Sequence, residues 1–340
     1  MVRFWRTPSL NLAPKRSLEG WTILIQNCPI SSGGDLTRSG NLQLKILKEL
    51  ASMSTFGLYL RPTYSEVAKK LGVDEETVRV RVRQAERAGT VLRWQVEINP
   101  HVLGRGATSV ILNVDDPSNK DSIISQIKLI DEVVFIMDFY EKPLRIHFYH
   151  ENDQDRERKL DLIKSICGDK NPTYWQLGFA PVNVRLKKTD WQIMKALRRD
   201  SLLSNLEVAK EIGVSARTVK RRVSFMTEAR AIYTHTVGNI KRVPGMAYLF
   251  LVDCANEKKK REIDEQIRSR LDNAIFEDTF NKQYSIYAAV FHNMGEADEM
   301  YRWIKSLEGA EKTRTYVIRE MLSIRDWINN EIEKRLKESS

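Results

Sequence analysis

The sequence predicts an α+β protein made of two repeats, each a winged helix-turn-helix followed by a ferredoxin-like (βαββαβ) sandwich. The stretch EVAKKLGVDEETVRVRV at residues 66–82 has a near copy, EVAKEIGVSARTVKRRV, at residues 207–223. Both copies show the apolar spacing of two short helices around a tight turn. Downstream of each, the pattern predicts strand, helix, strand, strand, helix, strand. The fixed offset of 141 residues (207 − 66) indicates an internal repeat.

Length and composition limit the classes of protein that fit this pattern. With 340 residues, 42% of them hydrophobic, the chain should form two or more compact units with their own cores. A net charge of +10 and a pI near 9.4 favour a polyanionic partner. No apolar run approaches the roughly 18 residues of a membrane span, and the start lacks the residue order of a signal peptide. We therefore expect a cytoplasmic protein without a membrane partner.

The helix-turn-helix pattern has the same construction in both copies. A first helix ends at the Gly of a Gly-Val turn, and Asp74 or Ser215 is placed to cap the next helix. The apolar stripe of this second helix is Val78, Val82 and Ala85 in the first copy, and Val219, Val223 and Met226 in the second. A helix precedes each pair, at an offset of 147 (Leu44 to Trp191). The first repeat therefore has about six extra loop residues.

Cationic residues flank the apolar stripe of each second helix. Such a helix can lie in a major groove, with its first side chains near base edges and other cations on phosphates. A solvated basic face is the simpler alternative, but here the cations coincide with helix-turn-helix spacing. Glu75 and Glu76 stand at the start of this helix in the first copy, where they repel phosphates. The second copy should therefore bind DNA more tightly. Alternatively, a Glu can accept a hydrogen bond from cytosine and so restrict the DNA sequence that is bound. The predicted contacts on these helices are Thr77, Arg79, Arg81, Arg83, Arg217, Thr218, Lys220, Arg221 and Arg222.

Strand patterns follow the second helix of each helix-turn-helix, which is called the recognition helix below. TVLRWQVEINP and AIYTHTVGNIKRVPG alternate apolar and polar residues and end at Pro, as the hairpin wing of a winged helix does. Arg93, Lys241 and Arg242 are placed there to contact flanking phosphates. Arg230 stands where the first copy has Gly89, which predicts a different helix-to-wing turn in the second copy.

The rest of each repeat predicts a split βαβ sandwich, with helices on one sheet face and the other face free for a partner. The chain thereby divides into an extension, four domains and a terminal helix. Residues 1–40 are rich in Pro, Ser, Gly and basic residues, which predicts an unstructured extension or a groove-following arm. The predicted ranges are 1–40 (flexible extension), 41–104 and 183–244 (winged helix-turn-helix), 105–182 and 245–322 (ferredoxin-like), and 323–340 (C-terminal helix).

The cysteines and histidines predict neither a metal site nor a catalytic site. Cys28, Cys167 and Cys254 are far apart, without a second Cys or a paired His at metal-ligand spacing. His147 and His150 fall on one strand with opposite parity and so face opposite ways. We expect reduced thiols, no metal, no cofactor and no catalytic residue.

A winged helix joined through EINPHVLG to a ferredoxin-like domain resembles the Lrp/AsnC family of transcription regulators. The resemblance covers about residues 41–180 and 187–322, and KKTDWQIMKALRRDSLLSNLEVAKEIGVSARTVKRRV from residue 187 carries it most strongly. It implies sequence-specific binding of double-stranded DNA, and dimerisation through the sandwiches, which a tandem chain can achieve within itself as a pseudo-dimer. It also implies a small-molecule effector, whose site uses a Gly that FIMDFYEKPLRIHFY and FEDTFNKQYSIYAAV lack.

The sequence predicts a transcription regulator and not an enzyme, and two alternative functions stay open. Siroheme decarboxylases are similar in pairing a helix-turn-helix with a ferredoxin-like domain, and they act as two-subunit pairs. A general architectural DNA-binding protein would share the phosphate contacts, which dominate affinity in either case. The C-terminal stripe of Ile324, Trp327, Ile328, Ile332 and Leu336 either packs on its own domain or supports a further homo-oligomer.

Overall fold

The computed structural model describes residues 42–43, 45–47, 49–50, 64–201, 203–243, 245–271, 274–278 and 281–338, with backbone alone at 93–95, 234–237 and 276. The extension at residues 1–40 lies outside the described residues. The helices are α1 (Tyr64–Leu71), α2 (Glu75–Arg87), α3 (Lys120–Ile127), α4 (Asp153–Cys167), α5 (Lys188–Arg199), α6 (Asn205–Ile212), α7 (Ala216–Glu228), α8 (Glu257–Arg270), α9 (Met294–Lys305) and α10 (Asp326–Glu338). The strands are β1 (Val91–Ile98), β2 (Gly106–Asn113), β3 (Val133–Phe139), β4 (Pro143–His150), β5 (Thr173–Gln176), β6 (Ile232–Gly238), β7 (Met246–Cys254), β8 (Ala274–Glu277), β9 (Tyr284–Phe291) and β10 (Ala310–Ser323).

The two helix-turn-helix units form as the sequence predicts. The first head consists of α1, α2 and the helical residues described between 42 and 50, and its core includes Ile46, Val67 and Val82. The second head consists of α5, α6 and α7. Its buried residues belong to the same core cluster as the inner faces of the sheets. The second head is therefore packed into the body of the molecule.

Two ferredoxin-like sheets join edge to edge into one antiparallel sheet. The strand order is β5-β2-β4-β3-β10-β7-β9-β8, so each group of four strands has the arrangement fourth, first, third, second. The long strand β10 makes the join: its start pairs with β7 from Ala310 to Val317, and its end pairs with β3 from Ile318 to Ser323. One strand of the second sandwich thus completes an edge of the first.

The two sheet faces predicted to be free for a partner pack on each other. Met137, Phe139 and Tyr149 of the first sheet share a buried cluster with Leu249 and Ile286 of the second. The opposite face of each sheet packs on its own helices, α3 and α4 in the first sandwich and α8 and α9 in the second. In this structure, the second repeat supplies the partner of the first.

The wing strands correct the prediction of a hairpin in each repeat. Strands β1 and β6 pair with each other antiparallel, with Ile98 opposite Ile232 and Val91 opposite Gly238. The alternating pattern identifies both strands but does not specify their partner, because period-two alternation is the same for local and distant pairing. The backbone N–H of Asn99 also donates to Ala231 O at 2.9 Å, and that of Asn239 to Thr90 O at 2.8 Å. Each wing strand therefore links one repeat to the other.

The turn between recognition helix and wing strand is the same in both repeats, contrary to the expectation from the sequence. Arg230 adopts φ 60°, close to the 69° of Gly89. Because a Cβ disfavours this left-handed conformation by about 1 kcal/mol or more, we expect Arg230→Gly to raise the free energy of unfolding by about 0.5–1 kcal/mol. Urea denaturation followed by circular dichroism measures it. Gly89→Ala is the matched control and should lower stability, since the added Cβ meets no atom within 4 Å and adds only backbone strain. A destabilised Arg230→Gly variant contradicts this account.

The C-terminal helix packs within the chain. Ile328 and Ile332 are buried in the core shared by the sheets and the second head, and α10 contacts α5 and β3. The Trp327 ring meets Tyr149 edge-on at 5.9 Å, and the Arg105 guanidinium lies 5.7 Å from its centre. The apolar stripe of α10 is thus used to hold the second head against the first sandwich. None of the described helices is long and apolar enough to cross a membrane.

Candidate nucleic-acid interface

The second recognition helix, α7, begins at a well-formed cap. Gly213 ends α6 in the left-handed conformation (φ 73°), and Ser215 Oγ accepts the backbone N–H of Thr218 at 3.1 Å. Ser204 and Glu207 close a capping box at the start of α6. These local devices follow from the sequence. They set the direction in which the start of α7 points.

Three cations project from α7 into solvent. Arg217, Lys220 and Arg221 are exposed, and within the described part of the chain none of them forms an ion pair or a side-chain hydrogen bond. They line an open groove of about 510 Å³ together with Ser224, Phe225 and Glu228. Unpaired cations in a groove along a recognition helix are suited to phosphates and to acceptors on base edges. Sequence reasoning missed Ser224 and Phe225, although a spacing of four from Lys220 and Arg221 places them on the same helix face.

Arg222 does not belong to this row. Its guanidinium binds the buried Asp190 carboxylate through two hydrogen bonds of 2.6 and 2.5 Å, and it lies 4.3 Å from the Phe225 ring centre. The hydrogen bond with Asp190 outweighs burial and raises the pKa of Arg222. The sequence predicts a DNA contact because Arg222 is one of the cations beside the apolar stripe of this helix. The structure instead gives Arg222 the role of fastening α7 to the start of α5.

Asp190 should therefore be important for the stability of the second head. It is fully buried, and its carboxylate also accepts the backbone N–H of Lys187 at 2.7 Å. We expect Asp190→Asn to lower the free energy of unfolding by about 2 kcal/mol, because charged hydrogen bonds are replaced by weaker neutral ones. Chemical denaturation measures the change. The partly exposed Asp200, at the opposite end of the same helix, provides the control variant Asp200→Asn, and equal stability of the two variants would argue against the anchoring role.

The first recognition helix, α2, presents a more neutral surface. Asp74 caps it, accepting the Thr77 N–H at 2.6 Å. Arg79 pairs with Glu75 at 2.5 Å and with Glu76 at 3.7 Å, and it lies 5.8 Å from the Tyr64 ring centre.

The remaining cations of α2 lie farther along the helix. Arg81 approaches Gln84 Oε1 at 3.5 Å. Arg83 and Arg87 are exposed and form no ion pair with any described residue. The cations of α2 thus lie away from the helix start, which is acidic, whereas the start of α7 is basic. This difference supports the expectation that the second copy binds DNA more tightly.

The predicted threonine and flanking contacts have other partners in the structure. The Thr77 hydroxyl donates to Asp74 at 2.7 Å, and the Thr218 hydroxyl lies 2.9 Å from Ser215 Oγ. Both therefore take part in capping. Lys241 pairs with Glu320 of β10 at 3.1 Å but remains half exposed, and the exposed Arg242 accepts the Thr90 hydroxyl with its carbonyl. The side chain of Arg93 lies outside the described residues.

Among the described residues, the histidines and cysteines that could serve in catalysis do not lie together. His147 packs against Phe135 on the inner sheet face, whereas His150 faces the helices, 3.1 Å from Thr108 Oγ1, and burial lowers its pKa. His101 and His292 are exposed on separate elements. Cys167 and Cys254 are free and buried, and burial raises the pKa of Cys167 to about 12. Among the described residues, no three His, Cys, Asp or Glu side chains are grouped to hold a metal ion.

Comparisons with known proteins agree with this architecture. A family model described as winged helix-turn-helix DNA-binding matches residues 186–232. An uncharacterized HTH-type transcriptional regulator of Pyrococcus abyssi is 28% identical over 138 residues, covering 40% of this chain and 94% of the relative. The HTH-type transcriptional regulator LrpA of Pyrococcus horikoshii is 30% identical over 96 residues, covering 28% of this chain and 62% of the relative.

A solved structure matches the fold over most of the chain. The siroheme decarboxylase NirDL superposes with a TM-score of 0.52 and 16% identity, covering 87% of this chain and 98% of that one. At this identity the match concerns the fold, namely the paired helix-turn-helix and ferredoxin-like units. Taking the sequence relatives and the architecture together, the chain resembles regulators of the Lrp/AsnC type, with its winged helix-turn-helix and ferredoxin-like unit present twice.

Proposed function

We propose that the protein is a sequence-specific regulator of transcription that binds double-stranded DNA mainly through its second head. The observation that carries this proposal is the row of Arg217, Lys220 and Arg221 on α7, exposed and without ion pairs in the described chain. A cation in an internal ion pair would have to give up that pair to bind DNA. The three cations of α7 can reach phosphates and base edges directly. The regulator relatives support the same function.

We further propose that one chain acts as an intramolecular pseudo-dimer. The packing of the two inner sheet faces and the pairing of β1 with β6 support it. Linking two heads raises the effective concentration of the second head to about the millimolar range, so the weaker first head still adds affinity. Because the heads differ, the operator should be asymmetric, with half-sites about one helical turn apart. Light scattering should give the mass of one chain.

Binding measured against salt concentration tests the proposed specificity. We expect genomic target sites to bind at least about a thousandfold more tightly than random DNA at the same salt. Affinity should fall steeply with salt for both kinds of DNA, because phosphate contacts release counterions. Equal affinity for all sequences favours a general architectural protein. No binding to any duplex at low salt contradicts the proposal.

A siroheme-decarboxylase-like enzyme is the second candidate, favoured by the match of its fold over most of this chain. Mixing the purified protein with haem or siroheme tests it, since binding in the core shifts the Soret band. A saturable shift, together with failure to bind DNA, favours the enzyme. An unchanged Soret band, together with DNA binding, favours the regulator.

A further inference from the structure

The inner faces of the two sandwiches carry different residues at two equivalent positions. Met137 and Arg145 are cross-strand neighbours in the first sandwich. At the offset of 141, Asp278 and Ile286 occupy the same places in the second sandwich (137 + 141 and 145 + 141), where Asp278 N–H donates to Ile286 O at 2.9 Å. The first sandwich thus holds an apolar residue and a cation, and the second holds an anion and an apolar residue.

The charged members of these positions meet across the interface between the sandwiches. The Arg145 guanidinium binds the Asp278 carboxylate, with side chains 0% and 1% exposed. Arg145 Nε also donates to Ser109 Oγ at 3.0 Å, and its guanidinium lies 5.2 Å from the Trp175 ring centre. The apolar members, Met137 and Ile286, are both fully buried in the shared core. Unlike sandwiches therefore match cation to anion in a fully buried setting.

If two copies of the same sandwich paired with this geometry, each charged residue at these positions would face an apolar residue. Two copies of the first sandwich would bury each Arg145 against a Met137. Two copies of the second would bury each Asp278 against an Ile286. A buried charge without a partner is strongly unfavourable, so like pairing is penalised twice in each case.

A second ion pair between the sandwiches follows the same rule. Arg319 of β10 binds Asp138 of β3, and Asp138 also pairs with the buried Lys120 at 2.7 Å. At the offset of 141, the first sandwich has Gly178 in place of Arg319. Pairing of two first sandwiches would leave Asp138 without this guanidinium.

We propose that these buried charges form a recognition code that commits each sandwich to the unlike sandwich, so that the surface accepts the second repeat and rejects a copy of itself. The inference deepens the proposed pseudo-dimer and is independent of DNA binding. It identifies the partner of the first sandwich by chemistry: a sheet that offers a buried carboxylate opposite Arg145 on the inner face, and an edge strand that offers a guanidinium to Asp138. Buried polar residues that specify register and oligomeric state at a cost in stability are known from coiled coils.

Complementary charge reversal tests the code. In full-length Arg145→Asp, the contact becomes two carboxylates, and in full-length Asp278→Arg it becomes two guanidiniums. Neither chain can then pair its own sandwiches well. Refolded together, the two chains can exchange partners. The carboxylate introduced by R145D then meets the guanidinium introduced by D278R, and the unchanged Arg145 of one chain meets the unchanged Asp278 of the other.

We expect a heterodimer of twice the mass in this mixture by native mass spectrometry, because only the exchanged pairing matches every buried charge. The double variant R145D/D278R restores the match within one chain and should be a monomer. Folded monomers from both single variants, or no heterodimer from the mixture, would overturn the proposal.

If the charge-reversed variants do not fold, a set of apolar variants tests the same proposal. R145I and D278M place at each position the residue that the other sandwich carries. Each single variant removes the opposite charge from one buried ionic group and should lower the folding equilibrium constant by about a hundredfold or more, whereas R145I/D278M should recover most of this loss. Additive losses in the double variant would show that the two residues are not coupled, contrary to the code. DNA binding is measured on the wild type alone, whereas the code is tested by the mass and stability of the variants. A failure of the proposed function is therefore distinguishable from a failure of the code.

Discussion

Replacing Lys220 and Arg221 with alanine is expected to weaken DNA binding by about 1 to 3 kcal/mol for each base contact removed, or to reduce the salt slope by about one for each phosphate contact removed. Both side chains are exposed in the groove of α7 and form no ion pair within the described chain. The substitutions should therefore leave the fold intact, and their effect should appear in binding alone. Fluorescence anisotropy across a salt series separates the two kinds of contact, and thermal melting verifies the fold.

Cations of the first head supply a comparison for this variant. Arg81 and Arg83 lie on the corresponding helix, whose start carries Glu75 and Glu76. Their double replacement with alanine should weaken binding less, because the acidic start already repels phosphates. A larger effect from the first head than from the second would reverse the proposed order of the heads. Unchanged affinity and slope in the K220A/R221A variant would remove α7 from the interface.

The sequence predicts the helix-turn-helix units well because the signals that define them are local. Gly213 and Ser215 end one helix and cap the next within three residues, and a cap depends on the chain immediately around it. The exposed row on α7 follows from helical spacing relative to the buried Val219 and Val223. Periodicity alone is enough to separate a buried stripe from an exposed one.

The parts of the site that the sequence does not predict depend on contacts between distant residues. Arg222 differs from Arg221 only in its angle around the helix, and its partner, Asp190, lies 32 residues earlier. The pairing of β1 with β6 joins segments from different repeats. The hydrophobic pattern predicts the order of the sandwich elements, whereas the packing of the two inner sheet faces on each other is implied only by the family resemblance. A single sequence contains no local signal for such long-range choices.

Arg198 holds the second head in place. It lies at the end of α5 and is 1% exposed. Its guanidinium binds the carboxylate of Glu97 on β1, donates to Val96 O at 3.3 Å, and donates to Asn329 Oδ1 of α10 at 3.1 Å. The Arg198 carbonyl accepts from Arg325 at 2.6 Å. One side chain thus connects the second head, the wing strand of the first repeat and the C-terminal helix.

Arg198→Ala should be strongly destabilising, by about 3–5 kcal/mol, because it leaves the Glu97 carboxylate buried opposite a cavity. The double variant E97Q/R198M should be less destabilised, since it removes both charges and restores volume with an unbranched side chain. Denaturant unfolding of the wild type, R198A and the double variant gives the three free energies. Because the side-chain partners of Arg198 lie on β1 and α10, DNA affinity measured where R198A is fully folded should change far less than in K220A/R221A. A stability loss for R198A no larger than that of an exposed control, Arg199→Ala, would show that the second head is held mainly by the apolar contacts of α5 and α10.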